Sequence, residues 1–218
     1  MKVLQKLLMA VGVIALILAG LFITINVLNK IETDKVVKTI DSALSALKEY
    51  DIKKMGEYMV DVEPIEESAK DVTKTNKETP EALEAQKVLF KYLEYEITRP
   101  ENMKMTDKEV LVDVKIVNKN IGTALVKYFT DSLTISFSNL FSTEKLSDEE
   151  LEAKLLTAFV ESVSSETTEM TASNITLKVV KDEAGDWKVE IIDEDKFMGA
   201  ILPSLKETIA NYIAEQEQ

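Results

Sequence analysis

Residues 185–193 read GDWKVEIID and contain the only tryptophan of the chain, Trp187. Residues 183–186 have turn composition, and Gly185 suits a positive φ. From Trp187 onward, apolar and charged residues alternate, which is typical of a strand with one buried face. The preceding stretch, residues 169–182, alternates in the same way. The two stretches predict an antiparallel β-hairpin, and Trp187 is interpreted as the packing anchor of its last strand. The alternative is a tryptophan that contacts a ligand.

A second hairpin is predicted earlier in the chain, over residues 95–118. Its strands are YEITRPEN and KEVLVDVKIVN, which flank a loop. Val110, Val112, Val114 and Ile116 of the second strand recur every two residues, so they share one face. Asp113 lies on the opposite face and is expected to meet solvent. Two hairpins of this kind predict an antiparallel sheet.

Helical spacing separates and flanks these hairpins. Residues 34–60 predict a helix that Asp34 caps, followed by a short helix that Asp51 caps. Residues 61–80 are polar and contain two prolines, so they predict a loop, with a single helical turn within it as an alternative. Thr79 and Pro80 predict the start of the next helix, over 81–94.

The segment between the hairpins, residues 119–165, predicts a helical pair. Its first helix carries one broad apolar stripe: Ile121, Leu125, Tyr128, Phe129, Leu133, Phe137 and Leu140. The run TISFS within it is compatible with a strand as well. Ser147 and Glu150 predict a capping box for the second helix. The C-terminal segment, residues 196–218, predicts a helix broken at Pro203.

Residues 7–28 are 22 consecutive uncharged residues, a length that spans a bilayer core of about 30 Å as a helix. We expect a transmembrane signal anchor that leaves residues 1–6 as a cytoplasmic tail bearing Lys2 and Lys6. A cleaved signal peptide and a buried core helix are the alternatives. The apolar run continues where a cleavage region should be polar, which favours the anchor. The body, residues 33–195, is then expected outside the cell.

Charge and composition exclude several functions. Lys2 and Lys6 are the only charged residues among the first 28, so the rest of the chain carries −15, against −13 for the whole. Such a body is repelled by nucleic acid and by anionic headgroups. The absence of Cys and His removes thiol nucleophiles, disulfides and histidine-dependent triads.

The order of elements, with the opening SALSALKEYDIKKMGEYM and the closing GDWKVEIID, resembles the nuclear transport factor 2-like and cystatin-like superfamily. More narrowly, it is similar to uncharacterised membrane-anchored or lipoprotein members outside Gram-positive bacterial cells. The resemblance implies an α+β fold in which a curved antiparallel sheet wraps helices and leaves a cone-like cavity. The helical pair at 119–165 is an insertion into that fold. A lining for the cavity is expected from both hairpins and the preceding helix: Tyr92, Tyr95, Val112, Val114, Ile175, Leu177, Trp187 and Val189.

Three functions remain open. The first is a non-catalytic domain that binds a peptide, a protein or a small envelope ligand in an open cavity. The second is an enzyme with a buried Asp/Tyr pair, since the resemblance implies acid–base pairs in some relatives. The third is a structural subunit, which predicts a filled core and an exposed apolar patch on residues 121–163. No cofactor or metal is expected, because the acid clusters at 148–150 and 193–195 are explained by helix starts.

Overall fold

A computed structural model describes the backbone of residues 2–73 and 79–216, and the side chains of residues 21–73 and 79–214. Within these ranges the chain is a mixed α+β protein with eight helices and four strands. In chain order, the elements are α1 Lys2–Glu49, α2 Ile52–Tyr58, α3 Glu63–Thr73, α4 Pro80–Lys91, β1 Glu94–Ile97, β2 Glu109–Lys119, α5 Ile121–Phe141, α6 Asp148–Ser164, β3 Met170–Lys181, β4 Trp187–Glu190, α7 Glu194–Ile201 and α8 Leu205–Gln216.

The four strands of the described chain form one antiparallel sheet in the order β1-β2-β3-β4. Both predicted hairpins are confirmed. In the central pair Val112 lies opposite Leu177, and in the last pair Val179 lies opposite Val189. Gly185 has φ 89°, which confirms the positive φ expected in the closing turn.

One face of the sheet forms the core together with the helices. The alternating residues Val112, Val114 and Ile116 are at most 1 % exposed, and Asp113 between them faces outward, as predicted. On α1, the side chains at three- and four-residue spacing from Val36 to Leu47 are buried in the same apolar cluster. Burial of these two periodic faces against each other supplies the main driving force for the fold.

Several predicted helix signals are confirmed. The Asp51 carboxylate accepts a hydrogen bond from the Lys54 amide, and Thr79 caps α4 with Pro80 in the first turn. Ser147 and Glu150 form the capping box of α6. Residues 134–138 are helical within α5, and the C-terminal helix is divided into α7 and α8 around Pro203.

Two predictions of local structure are wrong. Asp34 does not begin a helix, because α1 continues through it from the apolar N-terminal segment without a break. Part of the predicted loop at 61–80 is the helix α3, because Ile65, Ala69 and Val72 recur at helical spacing and are buried. The burial of this stripe outweighs the polar composition on which the loop prediction rested. Residues 74–78 lie outside the described part of the chain.

Among the described residues, the structure shows no helix with the length and apolarity needed to cross a membrane. Most of the predicted span, residues 7–28, lies outside the part with described side chains. The remainder, residues 21–28, is helical and exposes its large apolar side chains: Leu21, Phe22, Ile23, Ile25, Val27 and Leu28.

Candidate interaction surface

The residues predicted to line a cavity are brought together as part of the packed core. Six of them are 1–7 % exposed: Val112, Val114, Ile175, Leu177, Trp187 and Val189. The other two, Tyr92 and Tyr95, are partly buried against the same apolar cluster. That cluster also contains the buried stripe of α1. The space in front of this face of the sheet is therefore occupied by helix side chains.

An aspartate and a tyrosine do meet, at the surface between α1 and β1. The Tyr95 hydroxyl donates to the Asp41 carboxylate at 2.9 Å and also lies 2.9 Å from the Ser45 hydroxyl. Burial is the main cause that raises the pKa of Tyr95, and the bond to Asp41 adds to it. Asp41 itself is exposed. The pair ties β1 to α1 and lacks the buried carboxylate that the enzyme hypothesis requires.

Trp187 belongs to a junction between the sheet and α1. Its indole Nε1 donates to the Glu32 carboxylate at 3.1 Å, and the Lys181 ammonium lies 4.7 Å from the ring centroid. Lys181 and Lys35 both form ion pairs with Glu32. The hydrogen bond from Lys181 is the largest cause that lowers the pKa of Glu32 to about 2. Glu32 is part of the charged stretch that follows the apolar segment, and nothing in its spacing identifies it as a partner of Trp187.

The acid clusters have structural roles at helix starts. Asp148, Glu149 and Glu150 form the first turn of α6, and the Asp193 carboxylate caps α7 by accepting from the Lys196 amide. Within the described ranges, no group of three or more acidic, histidine or cysteine side chains is arranged to hold a metal ion.

The outer face of the sheet carries a shallow polar depression of about 470 Å³, lined by residues of β1, β2 and β3. The Asp113 carboxylate in it accepts a hydrogen bond from Thr176 at 2.7 Å. Its other polar side chains are one acid, one base and two neutral groups, as expected for a solvated sheet face: Glu96, Lys115, Thr98 and Asn174. The depression therefore shows no set of polar groups converging on a ligand.

The helices α5 and α6 form a hairpin whose base is buried and whose tip is not. At the base, Ala124 and Leu125 pack into the core with Phe159 and Val163. Tyr128 meets Phe159 edge-on, with ring centroids 5.5 Å apart. Every residue of α5 from 130 to 141 is exposed or only partly buried. The distal half of the hairpin thus stands out from the body.

The side of α5 turned away from α6 is apolar and exposed. Its large side chains are 58–81 % exposed: Val126, Leu133, Phe137, Leu140 and Phe141. At helical spacing these residues fall on one stripe. Isolated apolar residues at a surface are ordinary, whereas contiguous exposed stripes are typical of sites that contact another protein or a membrane.

The helix α8 borders this stripe and enlarges it. Phe129 of α5 stacks on Tyr212, with ring centroids 4.7 Å apart. Close approach of the two helices is possible because Gly122 has no side chain, and its amide donates to the Pro203 carbonyl. We call the combined surface the α5–α8 face; it consists of Val126, Leu133, Phe137, Leu140 and Phe141 with Ile209, Tyr212 and Ile213, the last three 41–53 % exposed.

The α5 part of this face is electrically neutral. The only charged residues between positions 121 and 141 are Lys127 and Asp131, which pair with each other at 2.9 Å. Hydroxyl and amide side chains supply the rest of its polarity. Neutrality sets α5 apart from the acidic remainder of the body.

The predicted stripe of α5 is thus divided by the packing. Ile121, Leu125, Tyr128 and Phe129 turn toward the body, whereas Leu133, Phe137 and Leu140 are exposed. Val126 and Phe141 were not identified from the sequence, and no signal in their spacing distinguishes them from core residues. The packed core and the exposed patch are the two features expected of a structural subunit.

Comparison with known proteins adds a structural relative. The chain matches no protein-family profile, and no curated protein matches it. A crystal structure of a "putative lipoprotein" (ycdA) from Bacillus subtilis has a similar fold, with a TM-score of 0.54 and 11% sequence identity. The match covers 77% of this chain and 56% of that protein, so this chain spans little more than half of its relative. The likeness supports the mixed α+β fold, and it does not confirm the resemblance to the nuclear transport factor 2-like and cystatin-like superfamily.

Proposed function

We propose that this chain is a membrane-anchored, extracytoplasmic interaction subunit that docks a protein partner through the α5–α8 face and catalyses no reaction. The observation that carries the proposal is the stripe of five large apolar side chains on α5, which are 58–81 % exposed. Leaving such a stripe in water forgoes the free energy that its burial would contribute, about 25 cal/mol per Å². Surfaces of this kind are typical of association sites.

The membrane part of the proposal rests on the N-terminal segment. Residues 7–28 contain no charge, and the described end of that run exposes its apolar side chains. The lysines at positions 2 and 6 favour a single-pass topology with the N-terminus in the cytoplasm. The structural relative, titled a lipoprotein, is compatible with a protein held at the outside of the membrane.

A small-molecule site in a cone-like cavity is less well supported than a protein-binding face. Six of the eight expected lining side chains, those on β2, β3 and β4, are at most 7 % exposed. The Asp41–Tyr95 pair lies at the surface, where water screens it, so it offers no environment for acid–base catalysis. A nucleic-acid partner is disfavoured by the net charge of −13. The proposal uses the superfamily resemblance for the fold alone and infers no shared ligand site from it.

Site-specific photo-crosslinking in intact cells tests the docking face. A photoreactive phenylalanine analogue replaces Phe137 in the full chain, and the same analogue at Leu111 is the control. Leu111 is 61 % exposed on the outer face of the sheet and Phe137 is 58 % exposed, so accessibility is matched. We expect a discrete protein adduct from position 137 and none from position 111. Absence of an adduct at 137, or equal adducts at both positions, contradicts the proposal.

The intact mass of the chain extracted from membranes tests the anchor. We expect the mass of the full sequence, 24.5 kDa. A chain shortened by about 20 residues would identify a cleaved signal peptide instead.

A further inference from the structure

The exposed residues of α5 have the spacing of a helix–helix seam. Val126, Leu133 and Leu140 recur at intervals of seven, and Thr130 and Phe137 lie between them in the same register. Alternating steps of four and three place side chains where two helices pack with their knobs into each other's holes. The seam from 126 to 140 is about 21 Å long. This geometry fits another helix better than it fits a flat surface or an extended peptide.

Charge distinguishes between three occupants of the seam: a basic helix, a lipid surface and a neutral helix. The seam offers no acidic side chain to a basic helix, because the Asp131 carboxylate is paired with Lys127. The tip of the hairpin carries Asp148, Glu149 and Glu150, which would meet anionic headgroups if α5 lay on a lipid surface. A neutral seam instead fits a second neutral seam, and another copy of this chain supplies one.

The size of the face is sufficient for self-association. Its eight side chains are 41–81 % exposed, and a large side chain half exposed presents on the order of 100 Å². The sum is on the order of 800 Å² for each copy, which is about one side of a standard protein–protein interface.

We infer that the partner on the α5–α8 face is a second copy of this chain, paired through antiparallel α5 helices around a two-fold axis at Leu133. This inference rests on the proposed function, for which it names the partner. The two-fold axis makes the contact self-complementary and closes it at two copies. It sets Val126 of each copy opposite Leu140 of the partner subunit.

The position of α8 favours the antiparallel arrangement. Through Tyr212, α8 covers the flank of α5 beside Phe129, in the half of the helix nearer the body. The distal half, with Phe137, Leu140 and Phe141, has no such neighbour among the described helices. In an antiparallel pair, α8 of each copy lies beside the bare distal half of the other. A parallel pair would crowd the two α8 helices together and leave both distal ends uncovered.

Because the chain has no cysteine, single cysteines test this pairing directly. Leu133→Cys, Val126→Cys, Leu140→Cys and the control Leu111→Cys are made in the full chain and oxidised in isolated membranes. We expect Leu133→Cys to crosslink with itself to twice the chain mass. Val126→Cys and Leu140→Cys should crosslink only when the two variants are produced together, and Leu111→Cys should not crosslink. Unchanged melting of each variant shows that the fold is retained.

A second substitution distinguishes association through the α5 seam from association through the membrane segment. Adding Phe137→Glu to Leu133→Cys places a charge in the interface, and we expect the self-crosslinked fraction to fall about tenfold, which corresponds to about 1.4 kcal/mol. Crosslinking that is unchanged by Phe137→Glu would mean that the membrane segment brings the copies together, and it overturns the inference. Self-crosslinking at all three α5 positions would indicate a parallel seam, and it also overturns the inference.

Photo-crosslinking at Phe137 distinguishes failure of this inference from failure of the proposed function. If that position captures a different protein and Leu133→Cys does not crosslink with itself, the docking face stands and the second copy is excluded. If neither position gives an adduct, both proposals fail.

Discussion

The indole nitrogen of Trp187 donates a hydrogen bond to the carboxylate of Glu32 at 3.1 Å, across 155 residues of the chain. Trp187 begins the last strand of the sheet, and Glu32 lies on α1 just after its apolar segment. Lys181 binds the same carboxylate and also covers the indole ring. The junction fastens the end of the sheet to the first helix by an apolar ring, an ion pair and a hydrogen bond together.

Substitutions of Trp187 separate these contributions. Trp187→Ala removes a side chain that is 5 % exposed, and we expect the free energy of unfolding to fall by about 3–5 kcal/mol. Trp187→Phe retains an aromatic ring over which Lys181 can lie but loses the donor to Glu32, so a smaller loss is expected. Urea unfolding followed by circular dichroism measures both. Equal effects of the two variants would show that the ring itself contributes little.

The lowered pKa of Glu32 predicts a pH dependence of stability. Its carboxyl titrates near 2 in the folded protein and near 4.5 when unperturbed, so the ionised form favours the folded state. The contribution is complete above about pH 5 and is lost as the pH falls toward 2. After allowance for solvent screening, we expect about 2 kcal/mol for this group.

The variant Glu32→Gln provides the matched comparison. It should be less stable than the wild-type chain at pH 7, and this difference should shrink as the pH falls from 5 to 2. The free energy of unfolding, measured at each pH, checks the prediction. A difference that stays constant over this range would show that the ionisation of Glu32 does not stabilise the fold.

Gly122 lies where α5 closely approaches the start of α8. A Cβ atom placed there would lie 2.3 Å from the Thr208 hydroxyl oxygen and 2.7 Å from the Ser204 carbonyl oxygen. We expect Gly122→Ala to push α8 away from α5 and to expose the chain near Pro203 to proteases. Gly199→Ala is the control, because a Cβ atom there meets nothing within 4 Å and alanine favours a helix. Limited proteolysis with mass spectrometry compares the two, and equal cleavage would contradict the prediction.

Asn118 joins three elements from a fully buried position. Its amide nitrogen donates to the carbonyls of Leu89 and Ile201 at 2.8 and 2.7 Å. Asn118→Leu leaves both carbonyls buried without this donor, and we expect a loss of about 2 kcal/mol or more in the free energy of unfolding. Thr176→Val removes an exposed hydrogen bond to Asp113 and should cost far less. Similar losses from the two variants, measured by urea unfolding, would argue against the importance of the buried amide.

Local signals explain why much of the fold was predictable. The alternation around Val112 and Val189 reflects a sheet with one buried face, and the capping pair Ser147 and Glu150 acts within one helical turn. Such features need no knowledge of distant contacts. The helix α3 was missed because its buried stripe is short and its other residues are polar. The junction of Glu32 with Trp187 was missed because it depends entirely on tertiary packing.

Prediction of the α5–α8 face from the sequence is limited in the same way by tertiary packing. The sequence places Leu133 and Phe129 on one apolar stripe. Apolar periodicity alone indicates that such residues tend to be buried, and it does not show what covers them. Which of them the body covers depends on where α6 and α8 pack. Phe129 is covered by Tyr212, whereas Leu133 is 60 % exposed. The cavity lining was predicted from the inward-facing residues of the strands. Their alternation in the sequence does not reveal how closely the helices pack against them.

The helix α1 runs without a break from Lys2 to Glu49, so the body and the apolar segment turn together about the helix axis. No flexible linker lies between residue 28 and the first buried side chains of the body, so rotation of one end of the helix is rotation of the other. Each residue of an α-helix contributes about 100° of turn and about 1.5 Å of rise. One residue inserted ahead of Asn29 would therefore swing the α5–α8 face through about a quarter of a circle. The length of this segment, and not only its apolarity, determines the direction in which the α5–α8 face points.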